Sequence, residues 1–295
     1  MGSKKTTNSR DAPEQVQQIQ LDEIHPFKDH PFKVLDDELM QQTIDSIMQV
    51  GIVNPTIIRP DPNGGYEMVS GHRRLHAAAQ VGLQTIPAIV RDLTDDEAVL
   101  LMVDSNLQRE TISPMERAHA YKMKLEALRH QGKRAEPTSP QVGEKSNWAV
   151  SLVADEAGSS RSQVQRFIRL TELNPQLQDM VDNKEIAVNP AVELSFLTEE
   201  EQVQFLDAME YSQNTPSLSQ AQKLKKLSKE GQCSQEAMYA IMSEEKKPIP
   251  ERSVTISGEI LHKYFPRNYS VEQIEETIIK LLQSWQRNKK RQKER

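Results

Sequence analysis

"SLVADEAGSSRSQVQRFIRL", residues 151–170, is the stretch on which the reading of the chain turns. Ala154 and Gly158 stand four residues apart. That is the spacing of a helix-turn-helix, which needs a small residue where two helices cross and a glycine where the chain turns between them. On this frame Val153, Ala157, Val164 and Phe167 face a core, while Ser160, Arg161, Ser162, Gln163, Gln165 and Arg166 face outward. An ordinary helical hairpin with a solvated basic face would explain the charge, but not its coincidence with this spacing.

From Ser159 to Leu170 there are three arginines, Arg161, Arg166 and Arg169, and no acid, in a chain of net charge −6. A local cationic face in an acidic protein suits phosphates, so the expected partner is double-stranded DNA. Arg161, Gln163 and Gln165 carry side chains able to make paired hydrogen bonds to guanine or adenine edges in a major groove. Residue type leaves open which of them reads a base.

The rest of the chain bounds this reading. Its 295 residues exceed a usual single domain, and Cys233, its only cysteine, excludes an intrachain disulfide and a multi-cysteine zinc site. The start, "MGSKKTTNSRDAPEQVQQ", lacks the apolar core of a signal peptide, and no apolar run approaches the roughly 18 residues needed to span a bilayer. The expectation is a cytoplasmic protein without membrane contact.

Residues 1–17 read as a disordered tail and 18–112 as a compact α/β domain. In the latter, "VQQIQLDEIHPF" suggests a strand, "DDELMQQTIDSIMQVG" a helix stopped by Gly51, and "NPTIIRP" with "YEMVSG" a hairpin about the turn "DPNGG". Residues 113–212 read as helical, beginning at a capping box of Ser113 and Glu116 and interrupted by a polar loop insertion at 131–147. A charged helix and proline-containing linker fill 213–252. At 253–295 a strand-like start precedes a helix with Val271, Ile274, Ile278, Leu281 and Trp285 at a/d spacing, then the basic tail "RNKKRQKER". So small a module lacks a sufficient core of its own, so a homodimer is expected.

A second signal is Gly71-His72-Arg73-Arg74 ahead of the helix-like "LHAAAQVG". A glycine turn into a helix N-terminus leaves backbone N–H groups and the positive end of the dipole beside two cations, a combination suited to phosphates. Upstream lies "VGIVNPTIIRP", and downstream "DSNLQRETISPMERAHAY" with Asn106 and Arg109 just before the capped helix.

These three segments, in this order and followed by the helix-turn-helix, resemble the ParB family of DNA partition proteins over about residues 18–200. That family carries G-x-x-x-P-x-x-x-R, G-E-R-R and E-N-x-x-R-x-x-L-x-P-x-E motifs. The resemblance implies an α+β multidomain protein: an N-terminal ParB/sulfiredoxin-like α/β domain, a central helix-turn-helix domain and a small C-terminal strand–helix dimerisation module. It further implies recognition of a centromere-like DNA site, binding of CTP with Mg²⁺, closure of a sliding clamp, and use by a ParA-type ATPase to segregate a plasmid, mobile element or chromosome. By position, Gly51 to Pro55 would border the nucleotide, Gly71, Arg73 and Arg74 would hold its phosphates with His72 beside them, and Asn106 and Arg109 would lie in the third box, Asn106 at the Mg²⁺.

The departures from the pattern bear on hydrolysis. His72 replaces the Glu of G-E-R-R, and Ser105 replaces the Glu before Asn106. Serine is a poor substitute for a carboxylate at a hard cation, and Asp104 is the nearest carboxylate along the chain. "KDHPFKV", with His30 and Phe32, stands where the family often has Gln-Pro-Arg, so CTP preference over ATP is left open. Two other functions fit parts of the pattern: a ParB-like transcription regulator or nucleoid-associated DNA binder without nucleotide switching, and an ATP-dependent enzyme of the sulfiredoxin or small-molecule-kinase fold. Sulfiredoxin chemistry needs a reactive cysteine, and Ser70 and Gly71 stand where it would be.

Overall fold

The structure, a computed structural model, describes residues 14–109, 112–134, 142–244, 261, 263–266 and 269–293. The chain forms two compact units, residues 1–244 and 245–295.

The first unit begins with a five-stranded sheet of β1 (Val16–Gln20), β2 (Ile24–His25), β3 (Thr56–Pro60), β4 (Tyr66–Ser70) and β5 (Thr85–Val90), in the order β1-β5-β3-β4-β2. β3 and β4 are the expected antiparallel hairpin, turned by Gly64 and Gly65 at positive φ. "VQQIQLDEIHPF" is not one strand. A 3₁₀ turn at Leu21–Glu23 breaks it, and its halves become β1 and β2 at opposite edges of the sheet. β1 begins at Val16 because residues 16–20 pair with β5, so the strand takes in the end of the expected tail; residues 1–13 lie outside the described residues.

Three helices flank the sheet: α1 (Glu38–Val50), α2 (His72–Val81) and α3 (Asp95–Leu107). Each start is chemically marked. The Asp37 side chain accepts the Met40 N–H, Thr94 and Glu97 form a reciprocal capping box, and Gly71 precedes α2. Met40 and Ile47 of α1 pack on Ala77 of α2, while Ile58, Met68, Ile86 and Ala88 form the sheet's own core.

α4 (Pro114–Arg134) starts at the expected Ser113–Glu116 box, with the Glu116 N–H donating to Ser113 Oγ at 3.1 Å and the Ser113 N–H to Glu116 Oε2 at 2.9 Å. It runs through residue 134, and α5 (Val142–Glu156) resumes at 142. The expected loop insertion at 131–147 is therefore helical at both ends, and 135–141 lie outside the described residues. Helix growth is cooperative, so turns nucleated by the packed residues 149–154 extend backward through polar sequence.

After α6 (Arg161–Leu170) come α7 (Pro175–Asp182), α8 (Val188–Leu194), α9 (Glu199–Ser212), α10 (Leu218–Lys229) and α11 (Gln235–Met242). The expected charged helix is α10, and with α11 it joins the core: Leu224, Met238, Ile241 and Met242 share one core with Phe205 and Leu177, while the proline-containing stretch from residue 245 lies outside the described residues. Between α3, α4 and α5 lies an ion triad, with the buried Lys124 ammonium donating to Asp104 and to Glu156. Both carboxylates favour the charged lysine and hold its pKa above the ordinary value despite burial.

In the second unit α12 (Val271–Lys293) is opened by Ser270, whose hydroxyl accepts the Gln273 N–H at 3.3 Å. Val271, Leu281 and Trp285 are exposed along it. The strand-like start at 253–260 lies outside the described residues.

Candidate functional site

β4 delivers the chain to Gly71, which caps α2 with φ 119°. A Cβ there would come within 2.6 Å of Thr56 Cγ2, so both conformation and space require glycine. With no side chain to cap it and no acid in its first turn, the start of α2 keeps its positive end uncompensated.

Next to it is an open cavity of about 420 Å³, with Ile47, Gly51, Ile52, Asn54, Arg73 and Arg74 among its walls. Gly51 ends α1 at φ 72°, turning the chain toward β3. The two arginines do different things. Arg73 makes a 3.0 Å ion pair with Asp37 and is partly open to solvent. Arg74 is more buried, which pulls its pKa down, and its Nη1 donates to the carbonyl of Asn54 and, at 2.9 Å, to that of Pro55. Arg74, expected as a phosphate ligand, also holds the 51–55 loop against α2 through Nη1.

His72 is buried. Its ring stacks on His30 with centroids 3.7 Å apart, and its Nε2 accepts the Phe27 N–H at 3.4 Å. The His30 Nδ1 and the Phe32 carbonyl are 2.7 Å apart, and His30 Nε2 is buried without a hydrogen-bond partner. Arg109 lies with its Cζ 5.8 Å from the Phe32 ring centroid, and burial, with the charge of Arg73 adding to it, lowers its pKa. Burial, with His30 and Arg109 adding to it, pushes the His72 pKa down to about 3.

This shift has a sign in stability. An unfolded chain takes up a proton at His72 near pH 6.5 and the folded one does not, so stability is full above that value and falls as pH drops toward 3. The slope approaches about 1.4 kcal/mol per pH unit for one such group. His72→Gln, which keeps an acceptor for the Phe27 N–H, should flatten it in urea unfolding series run from pH 7 to pH 4. An unchanged slope would show that His72 does not carry the acid sensitivity.

The third box ends α3. Asn106 is buried, and its amide donates to the Met102 carbonyl at 2.7 Å; the Ser105 hydroxyl donates to the same carbonyl at 2.9 Å. Asp104, the carboxylate nearest in sequence, is bound to Lys124 on the side of α4 and α5. The structure thus brings His72, Arg73 and Arg109 together, and turns Asn106 into its own helix.

In the helix-turn-helix, Gly158 takes φ 60° at the turn, and the Ser159 N–H donates to Ala154 O at 2.9 Å. Val153, Ala154 and Val164 are buried, and Ala157 and Phe167 pack against them. Ser160 caps α6 by accepting the Gln163 N–H at 3.2 Å. Arg161, Ser162, Gln163, Gln165 and Arg166 are exposed on one helix. Arg169 is not equivalent to them. Its Nη2 donates to the Ser195 carbonyl at 2.7 Å, at the C-terminal end of α8, and its Cζ lies 4.3 Å from the Phe196 ring centroid.

Residue patterns had not singled out Asn189, whose Oδ1 accepts from Arg166 Nη2 at 2.7 Å, nor Phe196, over which Lys225 Nζ sits at 3.6 Å. The Lys225–Lys229 spacing on a charged helix was the available signal for the second, and nothing local marks the first.

Residues 5–107 match the family described as the ParB N-terminal domain, and residues 140–215 that described as the ParB HTH domain; together these take in more than half of the chain. The chain is 34% identical over 188 residues to a protein of Thermus thermophilus named chromosome-partitioning protein Spo0J, covering 64% of this chain and 62% of that one. It is 29% identical over 194 residues to a nucleoid occlusion protein of Listeria monocytogenes, covering 65% and 62%. It thus spans a little over three fifths of the length of these relatives. A solved structure of C-terminally truncated ParB from Caulobacter crescentus, complexed to the centromeric parS site, is 22% identical with a TM-score of 0.39, covering 77% of this chain and 98% of that one. The glycine turn into α2 falls inside the first domain match and the Ala154–Gly158 turn inside the second, in the order the motifs lead one to expect, and the chain belongs to the ParB family.

Proposed function

We propose that this protein is a DNA partition protein, binding a centromere-like duplex site through α5 and α6 and switched by a nucleotide, CTP, at the start of α2. The observation that carries it is the face of α6: Arg161, Ser162, Gln163, Gln165 and Arg166 stand exposed, without an acid, on a helix whose opposite side is sealed in a core. The Gly71 turn, with Arg73 and Arg109 close to one another, supports the nucleotide part. In this reading residues 18–112 bind nucleotide and 113–212 bind DNA. Residues 253–295 join two copies through the exposed apolar positions of α12, a ParA-type ATPase moves the loaded DNA, and the protein resides with plasmid, mobile-element or chromosomal DNA in the cytoplasm. No helix among the described residues is long and apolar enough to cross a membrane. The proposal commits to nucleotide binding and clamp closure, not to hydrolysis.

A second reading, a nucleoid-associated DNA binder without a nucleotide switch, is favoured by Arg74 Nη1 and Asn106 Nδ2, which are engaged within the protein. Crosslinking separates the two. Single cysteines are introduced at exposed positions of residues 14–107 in a Cys233→Ser background and treated with a bifunctional thiol reagent. Closure that requires CTP and rises with cognate DNA, selected from a random-sequence library, is the expected result. Closure indifferent to CTP and to ATP favours the second reading.

A further inference from the structure

The resemblance places Mg²⁺ at the third box, and the residues there do not fit it. Magnesium demands six oxygens in near-ideal octahedral geometry, usually with one or two carboxylates among them. Asn106 offers one amide oxygen, its Nδ2 donating to the Met102 carbonyl, Ser105 brings no carboxylate, and Asp104 is held by Lys124. The other carboxylates facing the site are also engaged. Asp37 accepts from the Met40 N–H at 2.8 Å and from Arg73 at 3.0 Å, and Glu116 accepts from the Lys33 N–H at 2.7 Å and the Ser113 N–H at 2.9 Å. Among the described residues no group of three or more His, Cys, Asp or Glu could hold a metal.

What the site has instead is protein cation. Arg73 and Arg109 lie close enough to oppose each other's charge, and α2 points an uncapped, acid-free N-terminus into the same space. Two of the three departures from the family pattern, at His30 and His72, are 42 positions apart in sequence, and their rings meet at a tilt with centroids 3.7 Å apart. They form a single wall where the pattern has a carboxylate and an arginine-bearing loop. A bound anion would relieve the repulsion between the guanidiniums and occupy the N–H groups of the first turn.

We infer that this site holds a nucleoside triphosphate without a divalent metal, Arg73, Arg109 and the α2 amides neutralising the phosphates, and Ser105 leaving the third box without the carboxylate that a metal would need. The inference rests on the nucleotide reading proposed above.

The test is calorimetric titration of the full-length chain with CTP, and separately with ATP, in excess MgCl₂ and in EDTA. The expected result is a Kd that differs by less than about threefold between the two conditions. A loss of more than about tenfold in EDTA overturns the inference while leaving the nucleotide reading intact. Absence of binding in both conditions overturns the nucleotide reading and the inference with it, leaving the DNA-binding proposal standing. S105E, which returns the carboxylate, should bind more weakly in EDTA than in MgCl₂. Indifference of S105E to metal, with its melting curve showing a folded protein, overturns the role given to Ser105.

Discussion

Arg74→Ala is expected to lower nucleotide affinity by about thirtyfold and to leave duplex binding within about twofold of the original protein. The effect does not come from removing a free cation. Arg74 Nη1 donates to the carbonyls of Asn54 and Pro55, and those bonds hold the loop that walls the cavity beside α2. A hydrogen bond to a charged group stabilises by roughly 1.5–3 kcal/mol, so freeing the loop at the cost of one such bond is comparable with a tenfold to hundredfold change in binding. Both bonds leave from the one nitrogen Nη1, so Arg74→Lys, whose ammonium carries three donors on one nitrogen, should restore part of the affinity. DNA binding should survive because α5 and α6 are built on a separate core of Tyr121, Leu125, Val150 and Val153. Fluorescence anisotropy with labelled duplex and calorimetry with CTP measure the two arms. Equal loss in both would show that the two sites are not separately built.

The second large effect distinguishes arginines that look alike in sequence. Arg161 and Gln163 are exposed on α6, and the double variant Arg161→Ala, Gln163→Ala should weaken binding to a selected duplex by about a hundredfold, each good base contact being worth about 1–3 kcal/mol. Arg169→Ala should behave otherwise. Its guanidinium donates to the Ser195 carbonyl and lies on Phe196, so its removal leaves the end of α8 without its cap and lowers the melting temperature. DNA affinity measured well below that melt should change by less than about threefold. The reverse pattern, Arg169 decisive for DNA and Arg161 neutral, would place the DNA-reading face elsewhere on the helix.

The contrast also shows where sequence reasoning reaches and where it stops. Local chemistry was legible: the Ser113–Glu116 box, the β3–β4 turn and the Ala154–Gly158 turn are set by residues within a few positions of one another. Long-range placement was not. β1 and β2 read as one strand because nothing local says that the chain must cross the sheet between Gln20 and Ile24. Arg169 counted as one of three arginines of a cationic segment because composition gives its charge but not the α8 carbonyl that takes it. The stacking of His30 on His72, and the turning of Asn106 into its own helix, are likewise decided by packing. The residues of the candidate nucleotide site were visible in the motifs, whereas the division of labour between Arg73 and Arg74 was not.

The ammonium of Lys124 acts as a mechanical fuse. Asp104 stands on the helix that ends in Asn106, and Glu156 closes the helix that leads into the Gly158 turn. Sliding either helix along α4 would leave the buried ammonium with one half-exposed carboxylate instead of two, so a displacement at one end is resisted at the other until one of the two pairs gives way.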